Sequence, residues 1–211
     1  MCGKVLGVVG GNDLDDALLS RWATSASHLY GADGGGARLC RLDFRPVVVG
    51  DFDSASLDEV ASATKVVIDP SQERSDCDKL LLQVERDGHR SVTLAGVEGD
   101  RVDHMLASLG SAVRSQLDVR FALRTGVAWL VRPGRSLELV LNEGTVVSML
   151  PLLSCSGASL TGVRWPFRDA ELAFDGLVSV SNVASGRVRV ELREGAALLY
   201  ARLEEDEVPV W

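Results

Sequence analysis

Asp51 and Asp53 stand one residue apart in Gly50-Asp51-Phe52-Asp53-Ser54, directly after the apolar run Val47-Val48-Val49. In an extended chain residues i and i+2 project to the same side, so both carboxylates aim at one point. Two such anions about 5 Å apart repel by roughly 3 kcal/mol at an effective dielectric near 20. No basic residue adjoins them in sequence, and a divalent cation is the natural remedy. Magnesium takes oxygen ligands and keeps waters and substrate phosphates. The pair therefore predicts a magnesium–phosphate site at a strand end, against the plainer alternative of a solvated turn or helix cap. Ser54 reads as structural.

Three further stretches carry groups of the same chemistry. Asp33 opens Asp33-Gly34-Gly35-Gly36 before a short helix at Ala37-Arg38-Leu39-Cys40; the glycines admit either a close backbone approach to a ligand or a flexible turn. In Gln72-Glu73-Arg74-Ser75-Asp76-Cys77-Asp78-Lys79, Ser75 caps a helix closed by Gly88. Asp76 and Lys79, three apart, share its first face, so an acid and a base meet a metal-bound phosphate together, or form an ordinary ion pair. In Gly99-Asp100-Arg101-Val102-Asp103-His104 the arginine suits bidentate phosphate contact. Asp103 points away from Arg101, His104 and Met105 and anchors a neighbouring loop, while His104 on its own reads as a hydrogen-bonded packing residue. His28 and His89 read as structural or solvated.

The elements that must position these residues follow from hydrophobic periodicity. Apolar runs at residues 4–9, 28–32, 47–49, 65–68, 91–95 and 119–123 read as strands. Helices fall between them, the first capped by Asn12 or Asp13 and carrying Leu14, Ala17, Leu18, Leu19 and Trp22, another opened by the capping box Ser56-Leu57-Asp58-Glu59. This alternation predicts an α/β domain over residues 1–125, a parallel sheet with helices on both faces. Ligands gather outside the carboxyl ends of such strands, where Asp33, Asp51, Asp53 and Asp76 all fall. From residue 126 to 211 short β-rich runs at 127–131, 137–141, 146–150, 158–163, 188–192 and 197–203 predict an antiparallel β-sandwich or barrel domain. Within it Ser179-Val180-Ser181-Asn182 reads as an Asx turn or a binding loop, Trp165 as a ligand-stacking, core or surface aromatic, and residues 204–207 as a solvated acidic tail.

Composition narrows the partners. A net charge of −8 and a pI near 4.9 argue against binding nucleic-acid backbones, so metal must supply positive charge for any phosphate ligand. Cys2, Cys40, Cys77 and Cys155 form no Cys-x-x-Cys pair and read as reduced thiols of a cytoplasmic protein. The short first apolar run is no signal segment, and no run reaches membrane-spanning length. A Gly-x-x-x-x-Gly-Lys-[Ser/Thr] loop and a Gly-x-Gly-x-x-Gly turn are both absent, which disfavours ordinary kinases and dinucleotide oxidoreductases.

Taken in order, Ala32-Asp33-Gly34-Gly35, Gly50-Asp51-Phe52-Asp53-Ser54, Gln72-x-x-Ser75-Asp76-x-x-Lys79, Gly99-x-Arg101-x-Asp103-His104 and Ser179-x-Ser181-Asn182 resemble the motifs of the thiamine pyrophosphokinase family. Gly36 replaces that family's usual alanine, Ser108 stands where asparagine is common, and Pro70-Ser71 lengthens the approach to Gln72. The resemblance implies transfer of pyrophosphate from ATP to the hydroxyl of thiamine, giving thiamine diphosphate and AMP. It implies Asp51, Asp53 and Asp76 as catalytic magnesium ligands with Asp33 as a further ligand. Asp33, Gly34, Gln72, Ser75, Lys79, Arg101, Asp103 and His104 would bind the nucleotide, and Ser181 and Asn182 thiamine. It also implies a homodimer whose thiamine pocket lies between the α/β domain of one subunit and the β domain of the other. The alternatives are a pyrophosphokinase for another hydroxymethyl heterocycle, such as a pterin, and a non-catalytic thiamine or nucleotide sensor.

Overall fold

The computed structural model describes residues 3–10, 14–53, 56–99 and 101–211. Its centre is β1 (Val5–Val8), buried at all four positions, as a strand covered on both faces must be. It pairs in parallel with β2 (His28–Ala32) on one side and β5 (Ser91–Ala95) on the other. Beyond β2 lie β3 (Val47–Gly50) and β4 (Lys65–Ile68), and beyond β5 lies β6 (Asp118–Leu123), each again parallel to its neighbour. The resulting order, β4-β3-β2-β1-β5-β6, leaves β4 on an edge with Val66 and Ile68 exposed.

Four helices connect these strands: α1 (Asp16–Ser25), α2 (Gly34–Arg41), α3 (Asp76–Arg86) and α4 (Val102–Arg114). The amino end of α1 is capped by Asp15, whose side chain accepts from Leu18 N at 2.7 Å; the expected caps Asn12 and Asp13, like Cys2, Ser54 and Asp100, lie outside the described residues. Ser75 and Asp78 form a reciprocal capping box on α3, and Gly88 follows it at φ +84°. The Ser56–Glu59 box also forms, Ser56 N donating to Glu59 Oε2 at 2.9 Å, but it closes a single 3-10 turn, Asp58–Val60, where a helix was expected. His28 and His89 are structural: their rings lie 4.6 Å apart, and His89 Nε2 is 3.0 Å from the Tyr30 hydroxyl, which donates to Asp87 at 2.8 Å.

Chain contacts divide the protein into one unit of Met1–Arg124 with Glu205–Trp211 and a second of Thr125–Glu204. The last seven residues, expected in the β domain, thus belong to the first unit; Glu204 and Asp206 of the acidic stretch are exposed, as expected, while Val208 beyond it is buried. Arg21 Nη2 donates to Val208 O at 2.6 Å, Trp211 Nε1 donates to Ser25 Oγ at 3.1 Å, and the Trp211 ring meets Trp22 edge-on at 5.4 Å.

The second unit holds β7 (Gly126–Val131), β8 (Leu137–Val140), β9 (Val146–Val163), β10 (Phe167–Leu172), β11 (Ser179–Glu191) and β12 (Glu194–Arg202). Antiparallel ladders join β12 to β7 and β9, β10 to β9, and β11 to β8. Two runs expected as separate strands fuse into β9, which continues through Pro151 and Gly157. It curls so that Val147 and Leu160 both face β11, at Asn182 and Val190. β10 went unread in the sequence because Arg168, Asp169 and Glu171 break its apolar pattern. β11 begins at Ser179, so the Ser179–Asn182 cluster belongs to a strand and not to a free turn.

The glycine triplet is the first turn of α2, pressed onto the sheet, and not a flexible loop. A Cβ on Gly36 would lie 2.5 Å from Val48 Cγ1, one on Gly35 would overlap the Val8 carbonyl, and one on Gly34 would meet nothing within 4 Å. Gly36→Ala, the family's usual residue, is therefore expected to lower unfolding free energy by about 1–3 kcal/mol through overpacking. Gly34→Ala should change it by less than about 1 kcal/mol. Urea unfolding of both variants checks this; equal stabilities would refute the packing.

Candidate active site

The parallel sheet delivers acidic side chains where β2 and β3 end. Asp33 follows β2 with φ +36° and Phe52 follows Asp51 with φ +63°, left-handed conformations that non-glycine residues adopt at a cost. The turn at Phe52 aims its N–H at Asp33 Oδ1, 3.1 Å away. Gly50 makes room for this, since a Cβ there would overlap the same oxygen. One carboxylate oxygen from each of Asp33, Asp51 and Asp53 falls within 4.8 Å of the others.

Asp76, the first residue of α3, lies outside that trio and joins it through Lys79. Lys79 Nζ is 2.7 Å from Asp51 Oδ2 and 3.6 Å from Asp76 Oδ1, with its side chain 1% exposed. Gln72 Nε2 also donates to Asp51 Oδ2, at 3.2 Å. The helical spacing of Asp76 and Lys79 thus produces the expected meeting of acid and base.

Four carboxylates against one buried ammonium leave an excess of negative charge, and the protonation equilibria record it. Contact with Lys79 holds the Asp51 carboxyl below its usual range. Burial pushes Asp33 up to about 6, the Phe52 N–H opposing and Asp76, Asp51 and Asp53 reinforcing the shift. Asp76 is also raised by burial, against the pull of Lys79. Burial pulls the Lys79 ammonium down, but Asp51 outweighs it and the pKa stands above the ordinary lysine value. Asp51 Oδ1 is buried with no hydrogen-bond partner among the described residues. A hard divalent cation fits this donor set: it would satisfy the orphaned oxygen and relieve the repulsion among the carboxylates.

Beside the trio is a cavity of about 190 Å³ walled by Asp51, Arg74, Ser75, Asp76, Lys79, His104 and Ser108. His104 is exposed on this wall and is not the packing residue its sequence context suggested. Ser75 lines the cavity, but its hydroxyl is engaged in the α3 cap and lies 3.1 Å from Ser111 Oγ. Gly34, at the start of α2, is half-buried. Arg101 and Asp103 are not brought to the cavity wall: they pair with each other at 2.6 Å, both exposed, so Asp103 anchors Arg101 and not a neighbouring loop. Arg74 went unnoticed in the sequence, although it sits inside the Gln72–Lys79 motif; nothing distinguished it from a solvated charge. A larger cavity of about 530 Å³ between α3 and α4 is less suited to chemistry, because Arg114 there is already paired with Asp78 at 2.8 Å.

In the second unit Asn182 is buried and committed to the backbone of Trp165, accepting from its N–H at 3.1 Å and donating to its carbonyl at 2.8 Å. Ser181 is exposed at φ +56°, its N–H bonded to Ser148 Oγ. Trp165 is a surface aromatic, 58% exposed, with the Arg164 guanidinium 5.5 Å from its ring centre. Asn182 therefore acts by fixing Trp165.

Two measurements follow from this geometry. Between pH 4 and 6 folded Asp33 binds a proton that the unfolded chain has released, so its contribution to stability falls as pH rises through that window. Asp33→Asn removes the cost: in EDTA at pH 7.5 it should be more stable than the parent by up to about 3 kcal/mol, with the difference vanishing near pH 4. A loss of stability at pH 7.5 would contradict the carboxylate repulsion. Asn182→Ala, which leaves two partly buried backbone groups of Trp165 without their partner, should cost about 1–3 kcal/mol and alter the Trp165 fluorescence; an unchanged spectrum would deny Asn182 its positioning role.

The sequence matches the family description "Thiamin pyrophosphokinase, catalytic domain" over residues 19–123 and "Thiamin pyrophosphokinase, vitamin B1 binding domain" over residues 136–196. Among solved structures, the thiamine pyrophosphokinase of Bacillus subtilis superposes with a TM-score of 0.78 at 20% identity, covering 95% of this chain and 100% of that one. Thiamin pyrophosphokinase from Candida albicans gives 0.75 at 17% identity, covering 95% and 89%. The yeast enzyme gives 0.76 at 13%, covering 99% and 89%. These structures share the fold, and the two family matches, which follow one another along most of the sequence, make this chain a member of the thiamine pyrophosphokinase family.

Proposed function

We propose that this protein transfers the pyrophosphoryl group of ATP to the hydroxyethyl oxygen of thiamine, yielding thiamine diphosphate and AMP, with magnesium held by Asp33, Asp51 and Asp53. The observation that carries the reading is the carboxylate trio within 4.8 Å beside a buried lysine. The family description of both halves of the chain supports the substrate class. Magnesium, when bound, would neutralise the polyphosphate oxygens and make the β-phosphorus a better electrophile.

In the reaction the thiamine oxygen bonds to the β-phosphorus, the bond from that phosphorus to the α,β-bridging oxygen breaks, and AMP leaves with that oxygen. The alcohol proton must go to a base. Asp76 stands outside the trio with its pKa raised, which suits it to accept the proton. Lys79 fixes Asp51 and Asp76 in register; Arg74 and His104, which line the cavity, would hold phosphate oxygens, with Gln72, bonded to Asp51, beside them. Arg101 would have to leave Asp103 to join them, an exchange of one charge-assisted pair for another.

Support for a homodimer comes from size and exposed surface. A cavity of about 190 Å³ falls below the range of small-molecule sites and cannot enclose both substrates. The first unit exposes Val102 and Leu106 on one face of α4, and the second exposes Trp165, Phe174, Leu177 and Val180. Apolar groups of this kind suit a subunit contact. In this reading a partner's β unit, a sandwich completed by its curled β9, supplies Ser181 and the Asn182-fixed Trp165 as the wall for thiamine. Among the described residues no helix is long and apolar enough to cross a membrane; the free Cys40, Cys77 and Cys155 suit a reducing, cytoplasmic setting.

The test is purified protein with magnesium, ATP and thiamine, followed for nucleotide products. AMP and thiamine diphosphate are expected in equal amounts, and release of ADP would refute pyrophosphoryl transfer. Turnover with a hydroxymethyl pterin but not thiamine would select the nearer rival, and saturable thiamine binding without product would mark a sensor. Asp53→Asn should lower kcat at least about 100-fold with thermal stability retained; near-parental turnover would dismiss the metal assignment.

A further inference from the structure

At the opposite end of the same sheet, where β1, β5 and β6 begin, the first unit carries a separate cavity of about 300 Å³ lined by Lys4, Ser91, Thr93, Arg120 and Trp211. Thr93 and Arg120 are direct partners in the β5–β6 register, so their side chains leave the same face of the sheet. Thr93 is 1% exposed, and its Oγ1 is buried with no hydrogen-bond partner among the described residues. An orphaned hydroxyl of this kind costs about 1–3 kcal/mol. The half-buried Arg120 guanidinium makes no hydrogen bond or ion pair with a described residue; Asp118, two positions earlier, attracts it without closing on it. Lys4 Nζ likewise meets no carboxylate among the described residues and lies 5.6 Å from the centre of the Trp211 ring. That ring is fixed by its bond to Ser25 and its contact with Trp22.

In a chain of net charge −8, two cations converge here on a buried hydroxyl and an aromatic wall, and among the described residues no acid closes an ion pair with either. We propose that this cavity is a binding site for a small organic oxyanion, a carboxylate or phosphate monoester carrying a flat ring. Arg120 and Lys4 hold the anion, Thr93 Oγ1 donates to it, and Trp211 covers the ring. The strands between put it roughly 15 Å from the carboxylate trio, and the site stands whether or not the pyrophosphokinase reading does.

Isothermal titration of the full chain in EDTA, which silences magnesium-dependent nucleotide binding, uses benzoate and phenyl phosphate as probes. Saturable binding of at least one probe is expected, weakened about tenfold or more by Arg120→Gln and unchanged by Asp51→Asn. The tighter of the two identifies the headgroup. Thr93→Val should weaken binding and raise the melting temperature, because it removes the orphaned hydroxyl without changing side-chain shape. Lys4→Gln, an exposed change, reads the anion contact even where Arg120→Gln fails to fold. No saturable heat up to roughly 10 mM of either probe, undiminished affinity in the Arg120 or Lys4 variant, or a lower melting temperature for Thr93→Val would overturn the proposal.

Discussion

A buried ammonium tethers carboxylates delivered by different elements. Lys79 comes from α3, Asp51 from the end of β3, and their 2.7 Å contact crosses from helix to strand. A lysine with 1% of its side chain exposed is held there only if its charge is matched. Asp51 supplies that match, and Asp76, one turn earlier on the helix, adds to it at 3.6 Å. Lys79 is in contact with these two and attracts Asp33 as well, so one ammonium is shared among several carboxylates. The protein has thus placed enough positive charge to hold the loops in register and too little to neutralise them. On the proposed reading a bound divalent cation would make up that shortfall.

Holding carboxylates this close needs backbone that approaches closely, and small residues provide it. Gly50 leaves the space that Asp33 Oδ1 occupies, and Phe52 turns left-handed to direct its N–H at that oxygen. The Phe52 ring packs on the cluster of Ala37, Val48 and Val60, so the strained turn is tied to the core. Strain at Asp33 and Phe52 is tolerable because Leu6, Val8, Val48 and Leu94 behind them are wholly buried or nearly so. Preorganisation of this sort keeps the carboxylates convergent before any ligand arrives.

Much of this was legible in the sequence, for reasons that differ by residue. Val47-Val48-Val49 before Asp51 announces a buried strand with a carboxylate at its end, and Ser75 three residues before Asp78 announces a helix start. Periodicity and capping are local signals, and the structure follows them at β3 and α3, though the Ser56–Glu59 box closes only a 3-10 turn. The Asp33–Phe52 hydrogen bond is not local: it spans loops 19 residues apart, and no spacing rule encodes it. The same holds for Asn182, whose partner Trp165 is 17 residues away, so its polarity read as a turn. In β9, Pro151 and Gly157 read as interruptions, yet the strand runs on and bends, because the pairing of its two ends with β11 is set by tertiary contacts. Arg74 joined the candidate site only through the cavity it faces, since exposed charges on loops look alike in sequence, whereas His104, already named by the family resemblance, faces the same cavity.

The two ends of the parallel sheet carry opposite imbalances. At the carboxyl ends acids outnumber the cation that binds them; at the amino ends Arg120 and Lys4 line one cavity with Thr93, and no acid among the described residues closes an ion pair with them. Helical α3 cannot balance both, because Lys79 lies in its first turn and faces only the acidic end. Sheet geometry accounts for the separation: side chains at opposite strand ends are too far apart, at ordinary salt, to screen one another. Each imbalance must therefore be met locally, by a bound ion or ligand, or persist as a cost that the apolar strands between them absorb.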